Sequence, residues 1–287
     1  MDPLVSLIIL HHNKVNYTRR CLDSLLLTRY RPLEVWLVDN GSTDGTREVL
    51  EAFAERAAGQ GIRVEQVWNE CNRGAVTGRN QALQRVRGDY VAFWDNDVVV
   101  RDRDWAGKLR AVLEEDERNG IVSPKLLFPF PPYAIEFAGG AVSVGGRVQY
   151  LGRGAPREDP AYNRRREVQC VISACILIRR RLIEEVGLLD EAYNPVQYED
   201  IDYCYRARSR GWRVLYEPTV EMYHFEHTTT AGSADLNFKY LTIRNGLRFK
   251  RRWRKMFAAE GGPPDQAVQW VELPKKGVEE VGELPVR

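Results

Sequence analysis

The chain has 287 residues, 44% of them hydrophobic, enough to bury a large core in one domain with an appendage. Its 42 Lys and Arg against 40 Asp and Glu leave a net charge of +2, which excludes a bulk attraction to nucleic acid as the basis of function. Five scattered cysteines, Cys21, Cys71, Cys170, Cys175 and Cys204, lack Cys-x-x-Cys spacing and exclude a disulfide framework and a zinc site of that kind.

The first stretch, to Asn13, holds a short apolar run from Leu4 to Leu10 with no basic leader. With no apolar stretch long enough to span a bilayer, a cytoplasmic protein is expected. Val5 to Leu10 predicts a buried strand. Leu22, Leu25 and Leu26 then fall on one face of a helix that Asn16 or Thr18 is expected to cap. The pair recurs: Leu33 to Val38 predicts a strand, Ser42, Thr43 and Asp44 offer caps, and Val49, Leu50 and Phe53 mark a helical face. A third strand is expected at Arg63 to Val67, helical spacing at Ala82, Leu83 and Val86, and a fourth strand at Tyr90 to Trp94. Such alternation predicts an α/β fold with a mostly parallel sheet covered by helices on both faces. Ligands collect beyond the carboxyl ends of such strands, where this chain has His11-His12-Asn13, Asp39-Asn40-Gly41-Ser42 and Asp95-Asn96-Asp97.

From Phe128 to Arg166 prolines and glycines accumulate, with the basic cluster Arg164-Arg165-Arg166, and the segment reads as an excursion of loops and short strands, a candidate mobile lid. Regular structure resumes at Val168 to Ile178. Helices are expected at Arg180 to Val186 and Glu199 to Arg210, and strands at Trp212 to Tyr216 and Val220 to Tyr223. Beyond Gly261 the composition predicts a poorly ordered or draped extension. Residues 248–255 (Arg-Phe-Lys-Arg-Arg-Trp-Arg-Lys) read in two ways. They are either a basic-aromatic segment resting on anionic lipid or a helix with Phe249 and Trp253, four apart, packed inward.

The acids carry the candidate chemistry. Asp95 and Asp97, one residue apart at a strand end, suit a hard divalent cation that also takes phosphate oxygens. Asp39 suits a nucleoside base or ribose. Glu199, Asp200 and Asp202 open a helix, where the dipole welcomes acids, but successive positions point about 100° apart, so one faces a site and the others bond locally. His224 and His227 follow a strand and offer an imidazole ligand. The first strand lacks the Gly-x-Gly-x-x-Gly of a dinucleotide-binding oxidoreductase, and no early Gly-rich basic loop marks a nucleotidyltransferase. A non-catalytic nucleotide-sugar-binding protein is the alternative outside enzymology.

In order and spacing these pieces resemble the family 2 glycosyltransferases, particularly the rhamnosyltransferase-like branch, over Leu4 to Lys255. The ordered set is Asp39 to Thr46, Asn72-Arg73-Gly74, Gly78-Arg79-Asn80, Asp95-Asn96-Asp97, Gly187 to Glu191, Glu199-Asp200-Ile201-Asp202 with Arg206, Gly211-Trp212, His224 and Arg244-Asn245. The resemblance implies a GT-A fold with a nucleotide-sugar half at 1–127, an acceptor-side half at 128–235 and a C-terminal helical extension at 236–287. It implies an inverting transfer from a UDP- or dTDP-linked sugar to a hydroxyl of a glycan, a lipid-linked sugar or a small glycosylated acceptor, in cell-surface polysaccharide or glycoconjugate synthesis. It also implies Mg²⁺ or Mn²⁺ on Asp95, Asp97 and His224, Asp200 as base with Glu199 in support, and a nucleotide-sugar cleft formed by His12, Asn13, Asp39, Asn72, Gly74, Arg79, Asn80, Asp95 and Asn96. His11-His12-Asn13 departs from the frequent Thr-Tyr-Asn of relatives, and Asn194-Pro195 interrupts a stretch that is commonly aromatic.

Overall fold

The computed structural model describes residues 2–226 and 237–287. Its first half runs β1 (Val5–His11), α1 (Val15–Leu25), β2 (Leu33–Asn40), α2 (Thr46–Ala58), β3 (Ile62–Asn69), α3 (Ala75–Leu83) and β4 (Tyr90–Asp95). The order β4-β1-β2-β3 is wholly parallel, as the alternation predicts. β1, β2 and β4 are buried almost throughout, which explains their near-continuous apolar runs, whereas β3 at the sheet edge mixes buried and exposed positions. The expected caps are not used. α1 follows Lys14, held in the left-handed region at φ 66°, and α2 follows Gly45 at φ 87°, both without a side-chain cap. Thr18 lies inside α1, buried, with its hydroxyl on His11 Nδ1 and Asn96 Nδ2. Asp44 instead ties two helices together, accepting from the Val15 and Thr46 amides.

The second half begins with β5 (Val98–Val100), α4 (Trp105–Glu114) and β6 (Asn119–Leu127), none of which the periodicity announced. β6 contains Gly120 and Pro124, residues that argue against a central strand. Its partner strand shifts register beyond Glu217, opposite that proline. The excursion then forms β7 (Ile135–Phe137), β8 (Gly140–Val142), β9 (Val148–Tyr150) and β10 (Arg166–Glu167). Ile135, Phe137, Ala138 and Val142 are fully buried, so residues 135–142 belong to the packed core. Within its basic cluster Arg165 pairs with Glu115 and Glu217, and Arg166 donates to the Ala161 carbonyl.

β11 (Cys175–Arg179) runs antiparallel between β4 and β6 and joins the halves in one sheet across residue 127. α5 (Arg180–Val186), α6 (Glu199–Arg208), β12 (Arg213–His224) and α7 (Phe238–Ala259) follow. β12 merges the two short strands expected at 212–216 and 220–223, pairs with β6, and is also paired by β5 and β10. Phe249 of α7 is fully buried beside Tyr198 and Tyr205, and Trp253 donates to Asp202, so these rings face the core and not a bilayer. The residues after Gly261 drape back over the domain. Arg20 donates to the Val281 carbonyl at 2.6 Å, and the Arg287 amide to the Arg101 carbonyl at 2.8 Å. Among the described residues no helix is long and apolar enough to cross a membrane.

Candidate active site

The carboxyl ends of β1, β2 and β4, the start of α6 and the end of β12 enclose one cleft of about 170 Å³. Asn40 organises its floor. The Asn40 side chain donates to Asn72 Oδ1 (2.8 Å) and accepts from the Arg73 amide (3.0 Å), fixing the loop before α3. Two glycines permit this approach. A Cβ on Gly41 (φ 75°) would meet the Cys71 backbone at 2.7 Å, and one on Gly74 (φ 87°) would meet Pro195 Cα at 2.7 Å.

Asp95 ends β4 and Asp97 follows in the tight turn to β5. Because β12 pairs with β5, His224 opposite Val98, the imidazole arrives beside the two acids. Ligand atoms of Asp95, Asp97 and His224 all lie within 4.8 Å of one another. His224 Nε2 is 3.3 Å from Asp97 and Nδ1 is 3.3 Å from Glu136 Oε2. Burial works to lower the His224 pKa, but Asp97 and Glu136 outweigh it and raise it well above the usual imidazole range. A cation at this position gains from the same carboxylates. Two carboxylates and an imidazole form a hard donor set that fits Mg²⁺ or Mn²⁺, and Glu136 behind His224 is placed to orient its ring. Glu136 Oε1 is buried with no hydrogen-bond partner, and Arg153 Nη1 is 3.7 Å away.

Arg79 crosses the cleft. It pairs with Asp95 and Glu199 and donates to Ser173 Oγ at 2.9 Å. At the start of α6, Asp200 accepts from the Ser173 amide (3.1 Å) and the Ile201 amide (2.7 Å). Burial pushes the Glu199 pKa up to about 8, with the Asp200 charge adding to the rise and Arg79 opposing it. Burial also raises Asp200, against those two amides and Arg79. The helix terminus alone therefore does not set the titration of this pair. Of the two acids Asp200 has two amide donors, which favour its charged form, while Glu199 has the pKa raised to about 8.

Residues 6–187 match the sequence model described as glycosyl transferase family 2. The chain belongs to that family. It is 30% identical over 241 residues to the O-antigen biosynthesis protein RfbC of Myxococcus xanthus, covering 81% of this chain and 18% of that protein. It is 28% identical over 249 residues to an N-acetylglucosaminyl-diphospho-decaprenol L-rhamnosyltransferase of Mycobacterium tuberculosis, covering 80% and 78%. The chain spans less than a third of the length of the longer relatives it matches. Among solved structures, a mannosyltransferase of Pyrobaculum calidifontis in complex with GDP-Man and Mn²⁺ superposes with a TM-score of 0.63 at 20% identity, over 91% of this chain and 70% of that one. The fold is therefore GT-A, and the rhamnosyltransferase-like resemblance of the motifs agrees with these relatives.

In this family 2 domain His12, Asn72, Gly74, Arg79, Asp95, Asn96, Asp97, Glu199, Asp200 and His224 all line the cleft. Three expected residues do not. Asp39 is fully buried, its carboxylate closed by Arg47 Nε at 2.7 Å and the Ser42 amide, so a nucleoside reaches it only if Arg47 moves. Asn13 laces its loop to Ser42 and Thr43. Asn80 is buried in a clasp with the Leu189 backbone, 3.0 Å in both directions. Asp202 also turns away, held by Arg206, Arg252, Tyr193 and Trp253. His227 lies outside the described residues.

Arg244 and Asn245, whose role the sequence left open, clamp the loop before α6: Asn245 Nδ2 contacts the Tyr193 and Gln197 carbonyls, and Arg244 donates to Asn194 O. Sequence reasoning missed Glu136, Tyr150, Ser173, Gln197 and Glu226 in the cleft wall. For Glu136 a signal existed, a lone acid inside the apolar strand β7, because an acid buried there needs a buried partner.

Proposed function

We propose that this chain transfers a sugar from a nucleotide diphosphate donor, UDP- or dTDP-linked, to an acceptor hydroxyl with inversion, in the synthesis of a cell-surface polysaccharide or glycoconjugate. The observation that supports this reading is that Asp95, Asp97, His224 and Asp200 line a single cleft, with Arg79 paired both to Asp95 and to Glu199, the neighbour of Asp200. Asp95, Asp97 and His224 would hold Mg²⁺ or Mn²⁺, which neutralises charge developing on the leaving diphosphate. Asp200 takes the acceptor proton as the oxygen–anomeric carbon bond forms and the bond to the diphosphate breaks. His12, Asn72 and the Gly74 backbone bound the nucleotide side. The name of RfbC and the Mn²⁺ of the mannosyltransferase complex support the synthetic context and the cation. The test is a panel of nucleotide sugars with Mg²⁺ or Mn²⁺, read by mass spectrometry for nucleotide diphosphate and glycosylated product. No turnover of any donor with any acceptor sinks the reading.

Working at the inner face of the cell membrane on a lipid-linked sugar belongs to the same reading, though through a different face of α7 than the sequence suggested. Tyr240, Ile243 and Leu247 stand more than half exposed in one row, and Arg251, Arg254 and Lys255 continue it. Such a face combines shallow apolar insertion with attraction to anionic headgroups. The chain is expected to float with phosphatidylglycerol vesicles at low salt, and Leu247→Glu to abolish flotation. Flotation that is absent, or unchanged in the variant, removes membrane contact from the proposal.

A further inference from the structure

Apart from the cleft, a cavity of about 400 Å³ is lined by Arg157, Asn163, Thr219, Glu221 and Arg287. Glu221 stands three positions before His224 on β12, and alternation along a strand turns it to the opposite face. Its carboxylate gathers four cations. Arg101 Nε donates to it at 3.0 Å and Arg157 Nε at 3.0 and 3.1 Å. Lys125 Nζ lies at 3.4 Å and Arg287 Nη1 at 3.5 Å. Lys125, buried on β6, also donates to the Arg157 carbonyl at 3.0 Å, which ties the 157–163 loop to the paired strands β6 and β12.

We propose that this cavity binds a phosphate group, carried by a phosphate monoester or free as inorganic phosphate, between the guanidinium groups of Arg157 and Arg287. Three observations carry the inference. The first is charge. Among the described residues the cations Arg101, Lys108, Lys125, Arg157 and Arg287 share the carboxylates of Glu221, Glu158 and Asp102. A dianion would bring this cluster to balance, and burying cations without matching anions is costly. The second is the state of the buried ammonium. Burial pushes the Lys125 pKa below its usual range; Glu221 opposes this, and the Arg157 and Arg287 charges add to it. A further negative charge in the cavity would relieve that pressure. The third is geometry. Arg157 and Arg287 are the cluster's more exposed members on the cavity wall, with 27% and 40% of their side chains accessible. Guanidinium forks match the oxygens of phosphate. Glu221 lines the same cavity, but the buried Arg101 and Lys125 bind its carboxylate and leave the two outer arginines able to turn toward an arriving anion. The volume falls in the range of small-molecule sites, room enough for the sugar of a phosphate ester. None of these residues is among those lining the cleft, so the proposal stands independently of the transferase reading.

The test is calorimetric titration of the full chain, in EDTA and low chloride, with inorganic phosphate and with glucose 6-phosphate. Saturable binding of at least one of them is expected, with a Kd of about 1 mM or tighter that weakens as chloride is raised. Arg157→Gln and Arg287→Gln should each weaken it about tenfold or more, the scale of losing a charge-assisted hydrogen bond. Arg251→Gln removes an exposed arginine of α7 and should leave the affinity unchanged. Phosphate should also raise the melting temperature of the wild type and much less that of Arg157→Gln or Arg287→Gln, a readout that holds even where a variant is less stable. The tighter of the two probes tells an ester site from a site for free phosphate. No saturable binding of either probe, a loss just as large in Arg251→Gln, or full affinity in Arg157→Gln or Arg287→Gln overturns the site.

Discussion

Replacing Asp200 with Asn is expected to cut transfer by about 10²-fold or more while donor binding persists. Asn keeps the shape and an oxygen for one of the Ser173 and Ile201 amides, which donate to different oxygens of Asp200, but it cannot accept the acceptor proton. The cation ligands on the far side of the cleft are untouched. Glu199→Gln is expected to be much milder near neutral pH, because burial keeps Glu199 protonated there and an amide resembles the neutral acid. Its difference from the wild type should grow as pH rises through about 8, where Glu199 loses its proton. Donor affinity by calorimetry and transfer rate by product mass separate the possibilities. Near-normal turnover in Asp200→Asn, or loss of donor binding along with activity, would remove Asp200 from the role of base.

Removing the divalent ion should also cost nucleotide affinity. A diphosphate entering this cleft meets Asp95, Asp97, Glu136 and Asp200, with Arg79 already paired to Asp95. Without a bridging cation that encounter is repulsive. UDP titrated with Mn²⁺ should therefore bind at least about tenfold tighter than UDP titrated with EDTA, and Asp97→Asn should abolish the difference. Glu136→Gln probes the support behind the site. Losing a carboxylate that orients a metal-binding imidazole typically costs about 10- to 100-fold in metal affinity. Arg153 keeps its two-pronged bond to Glu226 at 2.8 and 2.9 Å, so the fold should survive the change. Mn²⁺ affinity by electron paramagnetic resonance is the direct readout. Equal UDP binding with Mn²⁺ and with EDTA would count against the cation site, and unaltered Mn²⁺ affinity in Glu136→Gln against the positioning role.

Legibility followed the range of the interactions. β1, β2 and β4 are buried on both faces, so their apolar runs marked them directly, and the acids at their ends followed from the parallel topology. β6 was hidden because its Gly and Pro violate strand preference and are tolerated only through the irregular pairing with β12. In the excursion at 128–166 the composition announced short strands but not their positions: they are three residues long or shorter, too short to show a period, yet side chains of β7 and β8 complete the core.

By itself the sequence determined the family, the parallel half of the sheet and the types of residue gathered at its edge, because each depends on local pattern and order. Only the tertiary structure decided which of those residues face the cleft. Asp39 and Asp97 both follow apolar strands and look alike in sequence, but Arg47 closes over the first while β12 brings His224 to the second. Likewise Asp200 and Asp202 share one helical turn. The α7 residues Arg252 and Trp253 capture Asp202, and the Ser173 amide turns Asp200 toward the cleft. Burial then raises the pKa of both Glu199 and Asp200 at a helix terminus whose dipole favours their charge, because desolvation in the cleft is the larger effect.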